Sequence, residues 1–155
     1  MKILVSYFSA SGETKKVASE LAELYSADIE EIVPTSLYTA ADLNWRDRKS
    51  RSTLEMTDEN ARPEIKEPQH DLTSYDVIFV GFPIWWGVEP RAVDTYLDKF
   101  ALFGKKIIPF ATSGGSPIKE ATKHLKRLYK EAIISDGILL NFGVDKKSID
   151  KLLNE

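Results

Sequence analysis

Residues 3–24, ILVSYFSASGETKKVASELAEL, limit the fold more than any other stretch of the chain. Ile3, Leu4 and Val5 run together without polar alternation, the pattern of a strand covered on both faces. Val17, Leu21, Leu24 and Tyr25 recur at helical spacing with Ala18 and Ala22 beside them, and Lys15, Lys16, Ser19 and Glu23 fill the other face. The strand is expected over Lys2–Phe8 and the helix over Glu13–Tyr25, with only a short loop between them. A doubly buried strand that passes straight into a helix belongs to a parallel sheet with helical crossovers.

The rest of the chain repeats that unit. Asp28–Val33 reads as a short acidic strand, Asp76–Phe82 and Lys106–Ala111 as apolar strands, and Ile138–Phe142 as a fifth. A helix is expected from Glu89–Pro90, with Val93, Leu97 and Phe100 inside. Another is expected from a Ser116–Pro117 cap to about Lys130, and a last short one behind Asp145. Residues 34–75 break the rhythm: Ala40–Ser52 has only a weak helical pattern, and Pro63 and Pro68 mark an extended surface return. With no internal repeat and no linker, residues 1–155 are expected to form a single domain. The fold class predicted is α/β: a doubly wound, five-stranded parallel sheet with helices on both faces and right-handed crossovers.

Composition removes several kinds of chemistry. There is no cysteine, which excludes disulfides, thiolate metal sites and cysteine nucleophiles. His70 and His124 lie far apart without ligand spacing around them, so no metal site is expected and both read as surface or rim residues. A net charge of −3 is too acidic for a general nucleic-acid binder. No apolar run reaches the length of a membrane span, and MKILVSYFS lacks the apolar core of a secretion signal; a soluble cytoplasmic protein is expected.

Ligands of doubly wound sheets bind beyond the carboxyl ends of the strands. Three loops of unusual composition are expected to meet there: Ser9–Thr14, Pro83–Glu89 and Thr112–Ser116. In the first, unpaired N–H groups of a helix start stand beside the hydroxyls of Ser9, Ser11 and Thr14, with Gly12 permitting close approach. That combination suits a phosphate monoester, with Glu13 turned outward; simple helix capping would need only one of the hydroxyls. Neither G-x-x-x-x-G-K-[ST] nor G-x-G-x-x-G is present, and Gly81, Phe82 and Pro83 stand where a response regulator would carry its aspartate. The second loop, PIWWGVEP, offers an aromatic wall, and the third, TSGGS, a backbone edge. Together they suggest a mononucleotide with a large planar head, and flavin mononucleotide (FMN) fits.

S-A-S-G-E-T-K, FPIWWGVEPR and FATSGGS resemble the phosphate loop and the two flavin-flanking loops of the flavodoxin family, and the resemblance spans nearly the whole chain. It implies strand order 2-1-3-4-5 and non-covalent FMN. Ser9, Ser11, Gly12, Glu13, Thr14 and Lys15 would surround the phosphate. Pro83, Ile84, Trp85, Trp86 and Gly87 would border the isoalloxazine, and Thr112, Ser113, Gly114 and Gly115 would approach its other edge. The Trp86–Gly87 peptide would be the one that flips on reduction. The implied function is an electron carrier between redox partner proteins, with no catalytic residue of its own. The alternative is an FMN-dependent NAD(P)H oxidoreductase acting on quinones or other small acceptors, since the third loop lacks the aromatic residue that many flavodoxins stack on the flavin. The basic run Arg46, Arg48, Lys49 and Arg51 reads either as a solvated face or as a contact for an anionic group.

Overall fold

A computed structural model describes residues 1–155. The strands are β1 (Ile3–Tyr7), β2 (Asp28–Glu31), β3 (Val77–Pro83), β4 (Lys106–Thr112), β5 (Ile133–Ile134) and β6 (Ile138–Leu139). The helices are α1 (Glu13–Leu24), α2 (Arg51–Met56), α3 (Arg91–Leu97), α4 (Lys119–Leu128) and α5 (Lys146–Leu153). All strand pairings are parallel, in the order β2-β1-β3-β4-β5, so the doubly wound sheet holds as expected.

Two apolar layers sandwich the sheet. Strand residues alternate between faces, so Leu4, Ile78, Val80 and Ile107 meet Val93 and Leu97 of α3 and Leu125 of α4. Val5, Phe79, Ile108 and Phe110 meet Val17 and Leu21 of α1 and Ile149 of α5 on the other side. Each fully buried Leu, Ile or Phe side chain contributes about 1.5–3 kcal/mol from the area it removes from water. Gly81 is fixed by this packing, because a Cβ there would lie 2.1 Å from the Phe110 ring. That contact explains the glycine without any role in chemistry.

Three elements depart from the sequence reading. The fifth strand is split: β5 pairs with the start of β4 and β6 with its end. The chain between them presses on α4, where a Cβ on Gly137 would lie 2.6 Å from Thr122 Oγ1. Phe142, placed in that strand by its sequence pattern, is fully exposed. Helix α4 begins at Lys119, with Ile118 at its cap position, so Ser116–Pro117 do not cap it. Ser116 N–H instead donates to Ser113 Oγ at 2.7 Å.

Residues 40–50 form turns, and the helix of the crossover lies later, at α2. The cause is local. Thr39 N–H donates to Asp42 Oδ2, Arg46 N–H to Asn44 Oδ1 and Lys49 N–H to Asp47 Oδ1, so side chains compete with the helical ladder. Ser50 then accepts from Thr53 N–H and starts α2. At the far end of the sequence Asp145 caps α5 as expected, accepting from Ser148 N–H.

Candidate functional site

The three loops do converge at the carboxyl end of the sheet. Thr14 Oγ1 and Thr112 Oγ1 are 2.8 Å apart, joining the first loop to the third. Ile84 N–H donates to Thr112 O at 3.0 Å, joining the second to the third. Phe8 meets Trp85 edge-on at 5.6 Å, joining the first to the second.

Ser9 organises the first loop. Its Oγ accepts from the N–H of Gly12 at 3.1 Å and of Lys15 at 3.2 Å, which curls the loop over the start of α1. Gly12 has φ +94, and a Cβ built there meets nothing within 4 Å. Its glycine answers the left-handed backbone, and the space above it is open. The N–H groups of Ala10, Ser11, Glu13 and Thr14 donate to no protein acceptor. Ala10, Ser11, Gly12 and Glu13 are exposed, and the unpaired donors stand at the positive end of the α1 dipole. The donor set suits a phosphate ester. Thr14 differs from the sequence reading: it is 1% exposed and its hydroxyl is engaged by Thr112.

The second loop is a tight hairpin. Trp85 N–H donates to Val88 O at 2.9 Å, and Val88 N–H returns to Trp85 O at 3.1 Å. Trp86 (φ 51) and Gly87 (φ 84) are both left-handed, the signature of a type I′ turn. Rotating the central peptide alone would give a type II′ turn, whose first central position belongs to glycine. Trp86 occupies that position, so the cost of a peptide flip falls on Trp86 rather than on Gly87. Trp85 also packs edge-on against Tyr38 at 5.4 Å, while Trp86 remains half-exposed.

In the third loop Ser113 is half-buried and Gly114 and Gly115 are exposed. Ser113 N–H donates to Asn141 Oδ1 at 2.8 Å, and Ser113 Oγ accepts from Gly115 N–H at 3.1 Å. Sequence reasoning missed Asn141, whose only signal is its place after β6. It also missed Tyr38, which is held by Glu55 and lies under the Arg51 guanidinium at 3.8 Å. Arg51 is thereby taken out of the basic run, being paired with Glu55 at 2.9 Å. Arg46, Arg48 and Lys49 are exposed, with Arg46 over the ring of Trp45. Met56 is buried and Trp45 is mostly exposed.

Behind the hairpin lies a cluster that the sequence did not signal. Glu89 and Asp94 are completely buried. Burial pushes the Glu89 carboxyl up to about 7. Burial, then the adjacent Glu89 charge, pushes Asp94 up to about 9. His124 Nδ1 lies 2.9 and 2.8 Å from the two Glu89 oxygens, and its Nε2 lies 3.1 Å from Glu59 Oε1. The expectation of an ordinary rim histidine fails for His124. His70 also has a partner, Glu30 at 3.2 Å, which receives Tyr96 Oη–H at 3.0 Å as well.

A family model described as Flavodoxin matches residues 2–155. A solved structure from Bacteroides eggerthii, provisionally assigned as a flavoprotein, is 43% identical over 99% of this chain and 96% of its own, with a TM-score of 0.93. Another from Bacteroides uniformis, assigned in the same way, is 41% identical over 99% and 98%, with a TM-score of 0.91. A flavoprotein from Lactobacillus acidophilus solved in complex with FMN is 25% identical over 98% of both chains, with a TM-score of 0.79. No curated protein matches the chain.

Proposed function

The chain belongs to the flavodoxin family, and from that premise we propose that residues 1–155 form one domain that holds FMN non-covalently at the three loops and carries electrons through it. The observation that carries this reading is the set of unpaired N–H groups of Ala10, Ser11, Glu13 and Thr14 around open Gly12, next to an aromatic hairpin. FMN, when bound, supplies one- and two-electron chemistry that no side chain of the protein can supply.

Each loop then has a distinct task. Residues Ser9–Lys15 hold the phosphate by backbone N–H groups and the Ser11 hydroxyl; Ser9 and Thr14 shape the loop through their own bonds. Pro83–Gly87 present a flat apolar border to the ring, with Trp85 braced by Phe8 and Tyr38. Thr112–Gly115 offer backbone groups to the opposite edge. Redox partner proteins would dock over the ring edge near exposed Trp86.

A second reading has its own observation. Ser113, Gly114 and Gly115 place no aromatic ring over the third side of the site, leaving room there for a nicotinamide or quinone. Anaerobic absorbance of the FMN-loaded protein separates the two. Slow bleaching by NADPH or NADH alone, with fast bleaching through a protein reductase, supports the carrier. Rapid bleaching by the nucleotide alone supports the oxidoreductase. A chain that cannot be loaded with FMN contradicts both.

A further inference from the structure

Glu89 follows the Trp85–Val88 hairpin directly, yet its carboxyl points inward and is fully buried. Asp94, one turn into α3, is equally buried. Burial disfavours the charge on both carboxyls and the adjacent Glu89 charge disfavours a second one on Asp94, so the pair favours holding a proton. Asp94 Oδ2 has no donor aimed at it, and Arg91 Nη1, 3.7 Å away, is beyond hydrogen-bond reach. A proton on Asp94 removes the charge from that unpartnered, buried oxygen. Asp94 Oδ1 meanwhile accepts from Tyr129 Oη–H at 2.9 Å.

His124 links this pair to the surface. Its ring reaches both Glu89 oxygens on one side and Glu59 on the other. Glu59 is well exposed and also paired with Arg127. Both ring nitrogens of His124 can donate only when the ring is charged; losing either proton reverses one bond, which is the property of a proton-passing group. The remaining charges facing the cluster are Arg91 on α3, Asp98 at its C-terminal cap, Arg127 on α4, and Arg62 on the crossover, which bonds Asp98 at 2.7 Å. Arg91 Nε and Nη2 are occupied by the carbonyl oxygens of Glu55, Met56 and Asp58, while its Nη1, 3.7 Å from Asp94 Oδ2, has no hydrogen-bond partner.

We propose that Glu59, His124, Glu89 and Asp94 form a proton-exchange path from solvent to the base of the Trp85–Val88 hairpin, through which the protein takes up a proton when the flavin gains electrons. This rests on the FMN reading above. The electrons come from an added reductant and stay on the flavin. The proton comes from bulk water by way of Glu59 and His124 and stays on the Glu89–Asp94 pair, and no bond to the flavin forms. The added negative charge at the hairpin raises the proton affinity of the buried carboxyls, in the sense of any like-charge neighbour.

Two measurements test it. In flavin-free protein at neutral pH, infrared difference spectra between wild type and Asp94→Asn should contain the C=O stretch of one un-ionised carboxyl. In FMN-loaded protein, dithionite reduction near pH 7 in weak buffer should take up more protons in wild type than in Glu89→Gln. His124→Gln should slow that uptake at least tenfold without abolishing it, and His124→Lys should not restore the rate. Absence of the carboxyl band, or equal uptake in wild type and Glu89→Gln, overturns the path. Failure to load FMN overturns the redox coupling together with the FMN reading, while the infrared band still decides separately whether the pair holds a proton.

Discussion

The hydroxyls of Thr14 and Thr112 meet at 2.8 Å, 1% and 5% exposed, and fasten the first turn of α1 to the end of β4. One of the two donates, so each depends on the other. Thr14→Val or Thr112→Val alone leaves a buried hydroxyl unpaired and should cost about 1–3 kcal/mol. The double substitution should cost less than the sum, with a coupling of ~1 kcal/mol in a denaturant double-mutant cycle. Strict additivity would mean that the pair is not made.

Trp86 stands left-handed at the first central position of a type I′ turn, where asparagine is favoured. Because its side chain is half-exposed, little packing opposes the exchange. Trp86→Asn should therefore raise the stability of flavin-free protein by roughly 0.5–1 kcal/mol, from relief of backbone strain. The same variant should bind FMN more weakly, since a ring border is lost. Thermal unfolding without ligand and fluorescence titration with FMN read the two opposite effects. A parallel loss in both would show that Trp86 serves packing instead.

Most of the frame is readable from the chain, and the reasons are local. The strand–loop–helix unit at residues 3–24 carries its own periodicity, and structure and sequence agree there to within a residue or two. The strand-to-helix loop of residues 9–14 is legible for the same reason, since its hydroxyls, glycine and helix start are neighbours in sequence. Elements settled by contacts between distant residues are not legible. The break between β5 and β6 is set by Thr122 of α4 and its cap residue Ile118 against Gly137. The Thr14 hydroxyl looks free until Thr112 is beside it. Glu89 looks like a polar helix start, and only its 35-residue separation from His124 along the chain explains why the pair goes unseen.

The buried carboxyls make stability depend on pH. Glu89 rises from 4.5 to about 7 and Asp94 from 3.8 to about 9 on folding. The folded protein therefore holds more protons than the unfolded chain between these limits. The contribution is fully present below about pH 4 and is lost as pH rises toward 9. Urea unfolding from pH 5 to 9 should reveal a steady decline, with a slope of up to roughly 1.4 kcal/mol per pH unit for each extra proton the folded state holds. Asp94→Asn should remove about one proton from that slope. An unchanged slope in the variant would place the proton elsewhere.

Phosphate recognition by the first loop predicts a difference between two ligands with the same ring. FMN and riboflavin share the isoalloxazine and differ in the phosphate, for which the proposed grip is Ser11, Gly12 and the unpaired N–H groups around them. Titration of flavin-free protein with each, followed by flavin fluorescence, tests this directly. The wild type should bind FMN about 100-fold or more tightly than riboflavin, a difference of ~2.7 kcal/mol. Ser11→Ala should narrow that ratio while leaving riboflavin affinity and the folding stability of the flavin-free protein in place. Equal affinity of the wild type for FMN and riboflavin would contradict the assignment of residues 9–15 as the phosphate grip.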